Sequence, residues 1–113
     1  MPWITISGVD VDHNILEELT KSINATVLGV AELDLNPDGS EITIFFSPDL
    51  AGQPFNKQVV VEVKLLEGQR RTPEVLARLT KAVGTAVKKV LPGVDVDCFP
   101  IVVKRETFWS SSS

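Results

Sequence analysis

Cysteine, histidine and long apolar runs are scarce or missing in this chain, and each shortage removes a class of function. A single cysteine, Cys98, and a single histidine, His13, leave no thiol pair, no zinc-ligand cluster and no Cys–His couple for nucleophilic catalysis. Cys98 lies in a strand-like apolar pattern and reads as a small buried hydrophobe. His13 falls in the first turn of an expected helix, where a lone side chain is solvent-exposed. No stretch approaches the length of a bilayer span, and the first residues lack the cationic start and long apolar segment of a secretory leader. No membrane partner and a cytoplasmic location are therefore expected. Positive charge is also short, with 11 basic against 15 acidic residues and a net charge of -4, which argues against a nucleic-acid partner. The basic residues that exist are local: Arg70-Arg71 and Lys104-Arg105 are pairs suited to a small anionic ligand.

What remains is a chain of 113 residues, 43% hydrophobic and 23% charged, the composition of one globular domain spanning residues 1–113. Folding buries roughly two-thirds of the surface that such a chain exposes when unfolded. Asp12 is placed to cap a helix carrying Ile15, Leu16, Leu19, Ile23 and Val27 at helical spacing, fading near Gly29. Thr72 caps a second helix, Pro73 suits its first turn, and Val75, Leu76, Leu79, Val83, Ala86, Val87 and Val90 form its apolar stripe up to Pro92-Gly93. Strands are expected at Pro2–Gly8, Glu41–Phe46, Val59–Leu66 and Val94–Val103.

Shifting the sequence by 60 positions sets Gly8 on Gly68, Leu16 on Leu76, Leu19-Thr20-Lys21 on Leu79-Thr80-Lys81 and Val27 on Val87. The chain thus reads as a duplicated β-α-β unit with halves of about 2–50 and 58–106, followed by a flexible serine tail at 110–113. Strands within each half pair in parallel across their helix. Val59-Val60-Val61, Phe45-Phe46 and Ile101-Val102-Val103 put apolar side chains on both sheet faces, and two helices cover only one. A self-association that covers the other face is expected.

Asp34, Asn36, Asp38 and Gly39 match the opening of a calcium loop. The closing ligand position holds Phe45, however, and Pro37 interrupts the loop. Asn36-Pro37-Asp38-Gly39 is therefore read as a turn, and neither a metal nor a cofactor is expected.

The residue with the most chemistry is Pro2. Inside a chain proline nitrogen is an amide without a basic lone pair; if Met1 is removed, Pro2 becomes a secondary amine able to take a proton. Met1-Pro2, a strand running directly from that proline, two β-α-β units and Gly68-Gln69-Arg70-Arg71-Thr72 before the second helix resemble the tautomerase superfamily. That group includes 4-oxalocrotonate tautomerase, 5-carboxymethyl-2-hydroxymuconate isomerase and macrophage migration inhibitory factor. Gly8-Val9, Val61-Glu62-Val63, Phe99-Pro100 and the ending Arg105-Glu106-Thr107-Phe108-Trp109 are similar to an uncharacterised bacterial branch of it.

The resemblance implies an α/β (α+β) fold: a four-stranded mixed sheet with two helices on one face, assembled as a homotrimer. It further implies keto-enol isomerisation of a small carboxylate-bearing substrate, with Pro2 as general base. An α-amino group titrates near pH ~8, and apolar neighbours such as Trp3, Ile4, Phe108 or Trp109 lower that value. A cation would hold the substrate carboxylate and stabilise the enolate oxygen. Arg71 is the first candidate, because it precedes a helix N-terminus where anions meet backbone N–H groups; Arg70, Arg105 and Trp109 complete the expected substrate contacts. The superfamily's turn often reads Gly-Arg-Ser, where this chain has Arg70-Arg71-Thr72. The alternative reading is a non-catalytic oligomeric module on the same scaffold, with Pro2 blocked, holding a small anion or a protein partner.

Overall fold

Two capped helices pack on one face of a four-stranded sheet. The computed structural model describes residues 2–9, 12–47 and 58–111. Met1, the boundary of the first repeat half near residue 50 and the last two serines of the tail lie outside the described residues. Strand β1 is Trp3–Ser7, helix α1 His13–Leu28, β2 Thr43–Ser47, β3 Gln58–Leu66, α2 Pro73–Val90 and β4 Asp95–Val103.

Both helices start where the sequence places a cap. The Asp12 carboxylate accepts the backbone N–H groups of Asn14 (3.0 Å) and Ile15 (3.3 Å), which satisfies two of the donors a helix start leaves open. The Thr72 hydroxyl accepts from Val75 N–H at 3.3 Å, and Pro73 occupies the first turn. Glu74 at the start of α2 and Lys88 and Lys89 at its end complement the helix dipole.

The sheet order is β2-β1-β3-β4. β1 pairs in parallel with β2, β3 in parallel with β4, and β1 runs antiparallel to β3. Each half is therefore one β-α-β unit, and the two halves join back to back through their first strands. Pro100 interrupts β4 without cost to the sheet interior, because β4 is an edge strand and an edge tolerates a missing N–H.

Alternation along the two central strands fixes which face the helices cover. Ile4, Ile6, Val59, Val61, Val63 and Leu65 are buried against Leu19, Ile23 and Val27 of α1 and Leu79, Val83 and Val87 of α2. Each such side chain contributes about 1.5–3 kcal/mol relative to remaining exposed.

The opposite face is less apolar than the runs of valine and isoleucine suggest. Only alternate residues of Val59-Val60-Val61 point that way, and Glu62, Lys64, Asp95 and Asp97 interleave with Val60, Phe99 and Ile101 across the register. What stays exposed is patchy: Phe45 (54%) and Phe99 (43%) lie in one cross-sheet row with Thr5 and Glu62.

Two local features depart from expectation. A 3-10 turn at Ala31–Leu33 buries Leu33 and ends at Asp34, which adopts the left-handed conformation (φ 53°). Strand β2 starts at Thr43 rather than Glu41. The Glu41 carboxylate instead accepts Asn36 N–H at 2.7 Å, and Ile42 N–H donates to Gly39 carbonyl oxygen at 3.1 Å, so the turn continues through residue 42. Asp38 is held within the same turn: Ser40 N–H at 2.8 Å and the Ser40 hydroxyl keep its carboxyl below the usual range. Among the described residues no group of three or more His, Cys, Asp or Glu side chains converges as a metal site. Nor is any helix there long and apolar enough to cross a membrane.

Cys98 sits half-buried on β4, its Cβ 3.4 Å from where a side chain on Gly84 would begin. Burial pushes its thiol up to about 11. At pH 8 the thiolate fraction is then on the order of a hundredfold below that of a free cysteine. Iodoacetamide should modify the folded chain slower than the urea-unfolded chain by about that factor; equal rates would show that Cys98 is not enclosed.

Candidate functional site

The antiparallel pairing of β1 with β3 decides which residues can meet. Trp3 lies opposite Lys64, so Pro2, one residue earlier, stands at the sheet end where β3 finishes at Leu66. β4 finishes at Val103 beside it. The turn Glu67–Thr72 leaves β3 at that end, and Lys104-Arg105 leaves β4 there. Pro2 and the two basic pairs, distant in the chain, therefore share one end of the sheet.

Pro2 is buried, and its carbonyl accepts the Thr43 N–H at 3.2 Å, which ties the start of β1 to β2. The next side chain, Trp3, stacks at a tilt on Phe108, with ring centroids 5.4 Å apart and an interplanar angle of 44°. The chain end thus folds back over the start of β1. A second 3-10 turn, Arg105–Thr107, makes that reversal. Trp109, expected near substrate, is 82% exposed and is not part of the basic cluster.

Arg70, Arg71 and Arg105 do come together, lining a cavity of about 550 Å³ with Glu32, Leu33, Asp34, Gly68 and Gln69. Arg71 is half-buried, and its guanidinium donates to the Leu66 carbonyl at 2.5 Å and, at a long 3.5 Å, to the Leu33 carbonyl. Burial and the nearby Arg105 charge both lower the pKa of Arg71. Arg105 is anchored from below by Glu67. The Glu67 side chain accepts Arg105 backbone N–H at 3.1 Å, and the Glu67 carbonyl accepts Nε at 3.0 Å.

Sequence reasoning missed Glu67, Leu33 and Glu32. Glu67 and Arg105 are 38 positions apart, as are Arg71 and Leu33, and no local pattern announces such pairs. Glu32 forms an ion pair with Arg78, which lowers its carboxyl pKa. The Arg70 charge adds to that lowering, so Glu32 also acts on the arginine cluster. Among the described residues no carboxylate forms a salt bridge with Arg70, Arg71 or Arg105. Three guanidinium groups and the carboxylates of Glu32 and Asp34 thus share the lining of one cavity.

No protein-family model matches the chain, and no curated protein matches it significantly. Solved structures do match it. Pt0534 inactivated by 2-oxo-3-pentynoate has a TM-score of 0.77 at 15% identity, over 96% of this chain and 91% of that one. A fused 4-OT symmetric trimer has a TM-score of 0.74 at 18% identity, with the same coverage. N1, a member of the cis-3-chloroacrylic acid dehalogenase family, has a TM-score of 0.73 at 14% identity, over 98% of this chain and 81% of that one. The duplicated β-α-β fold is thus shared with these proteins along nearly the whole chain.

Proposed function

We infer that this chain, which has the tautomerase fold, interconverts keto and enol forms of a small carboxylate-bearing compound, with the Pro2 amine as base once Met1 is removed. The observation that carries the reading is the shared sheet end: the fold brings Pro2 to the same end as Arg70, Arg71 and Arg105. In this scheme Pro2 takes a proton from the carbon beside the substrate carbonyl and returns it to the other end of the enol. A guanidinium from the basic cluster holds the carboxylate, and positive charge offsets that developing on the enolate oxygen. Burial of Pro2 disfavours a charged amine, which keeps the nitrogen available as a base near neutral pH.

The neighbours support the reading at the level of chemistry. The compound that inactivates Pt0534 is a small 2-oxo carboxylate, the same class as the substrate proposed here. The fused 4-OT structures are trimers, symmetric and asymmetric, and the exposed Phe45 and Phe99 of this chain are the kind of apolar surface that self-association covers. A second reading is an oligomeric module without catalysis that holds a small anion or a protein partner, and the basic cavity supports it without any need for a free Pro2 amine. Turnover of phenylpyruvate by the Met1-free chain and by Pro2→Ala separates the two readings. Catalysis requires that the proline form be faster; binding alone requires that neither turn over.

A further inference from the structure

Arg71 and Arg105 line the same cavity, but their surroundings give them different work. Arg71 faces inward. One Nη donates to the carbonyl that ends β3 and the other reaches the carbonyl of Leu33 in the first half. Its aliphatic part lies across Gly68, with Cδ 3.5 Å from the position a Cβ would take there. A guanidinium bound to two main-chain carbonyls at once is a staple: it ties the turn before α2 to the 3-10 turn that follows α1. Little of it is left to turn toward a ligand.

Arg105 is built the other way round. Glu67 fixes it twice, through its carboxylate on the Arg105 backbone N–H and through its carbonyl on Nε. Glu67 is itself fixed to β4 by its own N–H on the Val103 carbonyl at 2.9 Å. Both anchors act at the backbone and Nε, so the two terminal Nη groups have no protein acceptor among the described residues. Arg105 is exposed, Arg71 is half-buried behind it, and the two charges are close enough to oppose one another. Glu41 offsets part of the Arg71 charge but does not reach the Arg105 Nη donors, and a pre-oriented guanidinium with free Nη donors suits a carboxylate, which can accept two parallel N–H bonds and relieve the remaining repulsion.

We propose that Arg105, held by Glu67, is the residue that binds the substrate carboxylate, and that Arg71 is a positioning residue that fixes the turn beneath it. This assignment rests on the functional reading above, and it departs from the sequence-based expectation, which put Arg71 first. It predicts a division of effects. Binding follows Arg105 and Glu67; fold stability follows Arg71.

The test uses binding rather than turnover, so that the assignment and the reaction can fail separately. Phenylpyruvate is titrated into the Pro2→Ala chain by ligand-observed NMR, with Arg105→Ala, Arg105→Lys, Glu67→Ala, Glu67→Gln and Arg71→Ala added singly, and each protein is unfolded in urea. The expected result is a rise in Kd of tenfold or more for Arg105→Ala at an unchanged urea midpoint. Arg105→Lys should be intermediate, because a lysine donates as a point charge. Glu67→Ala should weaken binding, and Glu67→Gln, which keeps an acceptor oxygen, should restore much of it. Arg71→Ala should lower the urea midpoint and raise Kd by less than Arg105→Ala does.

Unchanged affinity in Arg105→Ala, a larger loss in Arg71→Ala than in Arg105→Ala at equal stability, or no saturable binding by the Pro2→Ala parent would overturn the assignment. Binding that depends on Arg105 in a chain whose Met1-free proline form shows no turnover would uphold the assignment and reject the reaction.

Discussion

Pro2→Ala should lower kcat/KM of the Met1-free protein for phenylpyruvate tautomerisation, by less than the roughly 10²–10⁴ that complete loss of a positioned general base costs. Alanine leaves a primary amine at the same place, so charge and approximate position survive while the ring is lost. The secondary amine of an N-terminal proline has one rotational freedom fewer, and the Pro2 carbonyl is already fixed by Thr43 N–H. The nitrogen is therefore held at the sheet end rather than swinging about it. KM should move little, because the carboxylate contact proposed above is made by Arg105 and not by Pro2. Initial rates over a range of substrate concentration check both parts. Equal kcat/KM for the two proteins would remove Pro2 from the mechanism.

Leu79→Ala should destabilise the chain by about 2–5 kcal/mol, the range for truncating a fully buried leucine and leaving part of the cavity unfilled. Leu79 is fully buried in the layer between α2 and the central strands. The core cluster it belongs to is rich in valines, Val61, Val63 and Val83 among them, and these β-branched side chains have little rotameric freedom to close a gap. For a domain whose whole stability is about 5–15 kcal/mol, the loss is large. Urea unfolding of Leu79→Ala should show a clearly lower midpoint at an unchanged slope, whereas Lys81→Ala on the exposed side of α2 should fall within about 0.5 kcal/mol of the parent. A shift below 1 kcal/mol for Leu79→Ala would contradict this packing.

The helix starts were legible because a cap is local: Asp12 and Thr72 act within three residues of themselves. The parallel pairing within each half was legible through the duplication, because a helix of that length is the normal crossover between parallel strands. The order β2-β1-β3-β4 and the antiparallel join of β1 to β3, which carry Pro2 to the end where β3 terminates, depend on how the two halves meet and have no local signal. The exposed face was read as too apolar, because a run such as Val59-Val60-Val61 looks uniform in sequence while strand geometry sends its members to opposite sides.

The candidate site divided in the same manner. The sequence marks Arg70, Arg71 and Arg105 as separate candidates, and it is the pairing of β3 with β4 that brings all three to one cavity. Which guanidinium faces the cavity could not be inferred, since it depends on the carbonyls of Leu66 and Leu33 and on Glu67, contacts that cross the fold without a motif. The same holds for Trp109. Of the two adjacent aromatics at the chain end, it is Phe108 that pairs with Trp3, while Trp109 is 82% exposed, a division that the sequence of two neighbouring aromatics does not announce.

The central claim is that the Pro2 nitrogen does the chemistry, and the state of the N-terminus controls it directly. The decisive measurement is the initial rate of phenylpyruvate tautomerisation by two preparations of the same chain, one with Met1 retained and one with Met1 removed, each verified by intact mass. The account predicts turnover by the Met1-free chain alone, since retention of Met1 converts the Pro2 amine into an amide. Equal rates from the two preparations, or no turnover from the Met1-free chain, would contradict it.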